Sequence, residues 1–281
     1  MNTLRLSIFF RAITFLFIAA CNPALASDLP CTPNTQMSLS AIKAEVIAIG
    51  ELHGSNEIPA FVEGLVCQIA LTGKPVVLGL ELPMDLQADI IKYTLSRGEA
   101  EDKKALLSAS FWQDKMQDGR TSVAMFKLID LVRRLRNEGK EVLLSAYDSR
   151  SSDDLVPLTK NELRAQARRD SIMATNIYDR LKQYPGHTHI VLAGNGHIGK
   201  FKQQDWNPAV SSMAYLLQQR VPVYAISFSF LRGGEIWACR KPDAPCGPGP
   251  VTASTATTAE GFDLIVSIEK LTASFPAKDM Q

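Results

Sequence analysis

Two carboxylates and two imidazoles stand out in this chain because each closes or directly follows an apolar run. Glu51 and His53 follow 45–49 within Gly50-Glu51-Leu52-His53-Gly54, and Glu81 ends the run 75–80 just before Pro83. His197 closes Gly194-Asn195-Gly196-His197 after 189–193, and Tyr147 and Asp148 follow 142–146. A carboxylate and an imidazole two residues apart in a turn suit acid/base work on a water molecule. They also suit coordination of a divalent metal, for which Glu51, His53, Glu81 and His197 are the candidate ligands. The glycines at 194 and 196 let the backbone approach a ligand closely, with Asn195 between them. Glu57 lies in the first turn of the following helix, where a carboxylate is favourable with or without a ligand.

For these residues to meet, the apolar runs must be neighbouring strands of one parallel sheet, whose C-terminal ends share a rim. The spacing supports this. Residues 56–71 place Ile58, Phe61, Val62, Leu65, Val66 and Ile69 on one helical face, and Gly73 stops the helix. Further helices are expected at 85–96, 102–109, 121–137, 161–182 and 209–218, with a fifth strand at 223–228. Residues 235–239 read as a hairpin partner, 241–260 as an exposed loop and 262–268 as an edge strand. The pattern predicts an α/β fold, a mostly parallel central sheet flanked by helices, with C-terminal antiparallel hairpin or edge strands. A helical insertion at about 84–138 follows the second strand and lies on the rim side, where it can cover a pocket.

The long helix adds two candidates. Arg169 and Asp170 sit about 20 Å before its C-terminal end, level with the rim, so Arg169 can bind an anion or hold Glu81. His187 and His189 begin the fourth strand, roughly 20 Å from His197 at about 3.3 Å per residue, and read as surface or structural.

Composition narrows the class. The 281 residues hold 30 Lys+Arg against 29 Asp+Glu, a balance that argues against nucleic acid as a partner. Residues 1–26 read as a signal peptide, with Arg5 and Arg11, an apolar run at 12–20 and Ala24-Leu25-Ala26; the run is short for a membrane span. Residues 27–281 would form a single domain. Ile18-Ala19-Ala20-Cys21 also reads as a lipobox, which would tether the chain to a membrane through Cys21. Export to the bacterial periplasm, or an outer-membrane lipoprotein, is the expectation. Four further cysteines allow three pairings; Cys31 with Cys67 and Cys239 with Cys246 is the favoured one, with free thiols the alternative. A serine nucleophile elbow, a dinucleotide fingerprint and a P-loop are absent from the sequence.

Taken together, Gly50-Glu51-Leu52-His53-Gly54 with Glu57, the strand ending at Glu81, Arg169-Asp170-x-x-Met173-Ala174 and Ala193-Gly194-Asn195-Gly196-His197 resemble the superfamily of erythromycin esterases, Tiki-type proteases and ChaN-like haem-binding proteins. The resemblance spans roughly residues 44–229. It implies a rim site built from the Glu-x-His turn and the distal Gly-x-x-His turn. By resemblance, esterase members activate water without a metal, Tiki-type members are metal-dependent proteases, and ChaN-like members are exported and bind haem. The expectation is a hydrolase of a small-molecule or peptide substrate; the alternative is a haem-binding protein without turnover. Haem needs an apolar slot, for which Phe111, Trp112 and Met116 are candidates, with ordinary packing as their other reading.

Overall fold

The computed structural model describes residues 31–34, 37–149, 162–204, 210–239 and 245–280. The leader and Cys21 lie outside the described residues. Six strands form the central sheet: β1 (Val46–Glu51), β2 (Val76–Pro83), β3 (Val142–Asp148), β4 (Thr188–Gly194), β5 (Val223–Phe230) and β8 (Leu264–Ile268). Their order is β3-β2-β4-β1-β5-β8, and every pairing is parallel. The three strands that carry Glu51, Glu81 and Gly194 are therefore adjacent, with β4 between the other two.

Burial on both faces explains the continuous apolar runs. Ile47 and Ile49 of β1 pack into the larger core with α1 (Glu57–Leu71) and α5 (Val123–Asn137). Val46 and Ala48 face the opposite core, with Met173, Ala174 and Ile177 of α6 (Glu162–Gln183) and Met213, Ala214 and Leu217 of α8 (Met213–Gln218). A polar ladder registers α6 against β3. Arg169 donates to Asp148, Asn176 Nδ2 to the Tyr147 carbonyl (2.9 Å) and Arg180 Nε to Ser145 Oγ (3.2 Å).

Between β2 and β3 lie α2 (Gln87–Thr94), α3 (Ala100–Leu107), α4 (Ser110–Gln113) and α5, which starts on the Ser122 cap. The antiparallel hairpin expected at the C-terminus is present as β6 (Gly234–Ala238) and β7 (Gly247–Val251), in a two-stranded sheet of its own, while the edge strand β8 joins the central sheet parallel to β5. Strand β7 falls inside the stretch expected as loop because Pro248 and Pro250 can sit in a two-stranded ribbon, which leaves one edge of each strand free of ladder bonds. The disulfides Cys31–Cys67 and Cys239–Cys246 join as favoured (Cα–Cα 6.0 and 4.1 Å).

Candidate functional site

At the C-terminal rim of the sheet, the turn after β1 carries His53. Its Nδ1 lies 2.9 Å from Glu51 Oε1 and its Nε2 3.5 Å from Glu81 Oε2. From the end of the adjacent strand β4, the short helix α7 (Asn195–Ile198) carries His197, whose Nδ1 lies 2.8 Å from Asp170 Oδ1 and whose Nε2 lies 3.8 Å from Glu81 Oε1. Both imidazoles thus turn their Nε2 atoms toward the two oxygens of one carboxylate. A cavity of about 270 Å³ opens here, lined by His53, Glu81, Arg169, Gly194, Gly196 and His197, together with Asp118, Arg120 and Gln204.

Arg169 binds the acids together. Its Nε and Nη2 clasp Asp148 (2.8 and 2.5 Å), Nη2 also reaches Glu81 Oε1 (2.6 Å), and Nη1 lies 3.3 Å from His197 Nε2. A guanidinium only donates, so that contact requires a lone pair on His197 Nε2 and places the ring proton on Nδ1, facing Asp170. Asp170 is fully buried and its Oδ1 also accepts from the Met213 amide (2.7 Å). The remaining oxygen of Glu81 accepts from the Gly194 amide (2.8 Å).

The electrostatics follow from this crowding. Burial works against the charged form of His53, but the Glu81 and Glu51 carboxylates outweigh it and raise the imidazole to about 10. Burial would likewise raise Glu81, yet His53, His197 and Arg169 hold it well below the usual carboxylate range. At neutral pH, His53 is an imidazolium between two carboxylates.

Several expected site residues sit elsewhere. Glu57 turns away from the cavity, accepting from the Thr272 amide (2.9 Å) and hydroxyl (2.5 Å). Tyr147 is buried, its hydroxyl donating to the Leu192 carbonyl (2.6 Å). The Asn195 side chain turns into the sheet, accepting from Ser227 Oγ (3.0 Å), and it fills the space where a Cβ on Gly50 would stand 2.2 Å from its Oδ1. The Gly194 amide is committed to Glu81, while Gly196 lines the cavity. Of the pair on α6, Asp170 lies behind His197 and outside the cavity lining. His187 and His189 lie at the opposite pole, where burial lowers His189.

The insertion supplies residues that sequence reasoning missed. Arg120 is gripped by Asp118 (Nε to Oδ2, 2.8 Å) and reaches Asp148 (3.2 Å) and Glu81 (3.6 Å) through Nη1. Gly119 permits this approach, since its φ is +93° and a Cβ there would meet the Gly54 amide at 2.3 Å. The available signal was a charged-Gly-charged triplet in an insertion already expected on the rim. The apolar slot did not form: Trp112 is fully buried in the main core and Met116 is half exposed.

A divalent metal does not fit the four candidate ligands. Glu51 is committed to His53, both Glu81 oxygens accept hydrogen bonds, and the Arg169 and Arg120 cations beside Glu81 oppose a divalent ion. Among the described residues, no group of three or more His, Cys, Asp or Glu is arranged to hold an ion.

Comparisons with known proteins agree with the resemblance. Residues 133–262, a little under half of the chain, match the family model described as erythromycin esterase. No curated protein matches the chain. Among solved structures, the erythromycin esterase EreC, as an H289N mutant in its open conformation, superposes with a TM-score of 0.56 at 15% identity, over 75% of this chain and 76% of that one. A Bacillus cereus protein gives 0.55 at 13% identity over 87% and 95%. A succinoglycan biosynthesis protein gives 0.53 at 12% identity over 83% and 89%. These structures share the fold.

Proposed function

We propose, from the premise that this erythromycin-esterase-like chain carries its polar residues on one rim, that it is a hydrolase that activates water for attack on an ester or amide. One observation carries the reading: His197 is backed by a buried aspartate while its Nε2 faces the same carboxylate and cavity as the imidazolium of His53.

Two histidines in unlike environments divide the work of base and acid. Once Arg169 Nη1, 3.3 Å away, turns from His197 Nε2 to the substrate, that nitrogen takes a proton from water, and the imidazolium so formed is stabilised by Asp170 across 2.8 Å. His53, already charged, donates to the oxyanion or the leaving group. Arg169 and Arg120 add positive charge where negative charge develops, a contribution of about 3 kcal/mol for a well-placed donor. Glu81 accepts too many hydrogen bonds to serve as a base; it holds both imidazoles and both guanidinia in one place. The Gly194 amide, aimed at Glu81, is not an oxyanion donor here.

The substrate class is a small ester, lactone or peptide. The lining does not favour haem, because the cavity is walled by charged side chains. Export accompanies the reading, supported by two disulfides suited to an oxidising compartment, with Cys21 lipidation as its membrane-tethered form.

Purified protein is assayed against p-nitrophenyl esters, lactones and peptides, before and after dialysis against EDTA. Turnover that survives EDTA and is lost in His197→Ala is expected. Failure to hydrolyse any of these, or equal rates in the variant, refutes the proposal. Haemin titration is expected to give no Soret shift of defined stoichiometry.

A further inference from the structure

Residues 272–277 cross the molecule between two turns that deliver side chains to the cavity. On one side, the Asn56 amide donates to the Thr272 carbonyl (3.0 Å) and the Ser274 amide to the Gly54 carbonyl (2.8 Å), directly beside His53. On the other, the Ala124 amide donates to Ser274 Oγ (2.9 Å), the Val123 amide to the Phe275 carbonyl (2.8 Å) and the Ala277 amide to the Thr121 carbonyl (2.8 Å), directly after Arg120. Ser274 bonds to both sides at once and is buried. The outer end is pinned by Glu57, which accepts from the Thr272 amide and hydroxyl.

We propose that this C-terminal segment is a strap that sets the separation of the His53 turn and the Asp118–Arg120 loop, with Ser274 as its positioning residue and Glu57 as its anchor. The β6 ribbon also reaches the first turn, its Trp237 amide donating to the same Gly54 carbonyl (2.9 Å). His53 follows β1 by two residues, and Arg120 lies far from it in sequence, before α5. Gly54 and Gly119 touch through their backbones, where neither can shift without moving its charged neighbour. The strap holds both edges of that contact. Glu57, expected as a ligand, thus acts on the site through the strap.

The inference rests on the water-activating reading only for its kinetics, so a spectroscopic arm decides it separately. The chain has four histidines, and ring ¹⁵N NMR follows all of them. His53 faces Glu51, Glu81 and Asp118; His197 is held by Asp170, and His187 and His189 report the far pole. In Ser274→Ala, and more weakly in Glu57→Ala, the half-titration point of His53 should fall by about one pH unit as its turn loosens from Glu51 and Glu81, which stay on their strands. The other three histidines should keep theirs, and Ser274→Thr should restore the wild-type value. With an ester substrate, kcat should fall at least about tenfold at nearly constant KM. If Ser274→Ala does not fold, Glu57→Ala alone decides. An unmoved His53 overturns the strap, and so do four histidines shifting together, which would mark a general loss of stability. If the wild-type chain hydrolyses nothing, the hydrolase reading falls and the NMR result still stands for or against the strap.

Discussion

Replacing Asp170 with Asn separates the charge behind His197 from its geometry. The Asn amide oxygen can occupy the place of Oδ1 and accept from both His197 Nδ1 and the Met213 amide, so the tautomer and fold are retained. What is lost is the negative charge that stabilises the imidazolium formed on proton transfer. Unit charges 2.8 Å apart attract by about 6 kcal/mol at an effective dielectric of about 20, which sets a ceiling near four decades in rate. The smaller value of a neutral hydrogen bond relative to a charged one, about 1–1.5 kcal/mol, sets a floor near tenfold. We expect kcat to fall by about 10²–10³ with KM unchanged, measured by stopped-flow release of p-nitrophenol alongside a thermal melt. A melt close to wild type and a kcat within threefold of wild type would refute His197 as the base.

Arg169→Lys keeps one charge but cannot clasp Asp148 while reaching Glu81 and His197. Activity should fall more than about 10²-fold and stability by about 3 kcal/mol, read by urea unfolding. Gly50→Ala places a methyl 2.2 Å from Asn195 Oδ1, so α7 must shift; a loss of about 1–3 kcal/mol and a displaced His197 resonance are expected. Stability should also track pH in a defined direction. His53 is raised from 6.5 to about 10 in the fold, so its contribution is complete below about pH 6.5 and is lost as pH rises toward 10. Glu81 is lowered, so its contribution is present above about pH 4.5 and is lost on acidification. Calorimetry should therefore show an alkaline decline that flattens in His53→Gln; an unchanged decline in that variant counts against the assignment.

Much of the frame was legible because β1 to β5 are buried on both faces, which leaves unbroken apolar runs ending where the rim begins. The same logic placed Arg169 beside Glu81, since a helix antiparallel to β3 and measured at 1.5 Å per residue reaches the rim at that point. The ribbon was harder. Gly247–Val251 alternates glycine and proline, a pattern of loops, and becomes strand only because β6 offers it a partner.

The sequence by itself determined which side chains end each strand, and hence that Glu51, His53, Glu81 and His197 share a rim, because parallel pairing and right-handed crossovers admit few other arrangements. Tertiary structure alone decided how each is oriented. Glu57, Tyr147 and Asn195 had the right types in the right places, yet bond to Thr272, Leu192 and Ser227. Arg120, from a loop without periodicity, entered the cavity instead. Orientation rests on hydrogen bonds between distant residues, such as Glu57 and Thr272, 215 positions apart, and local pattern carries no record of them.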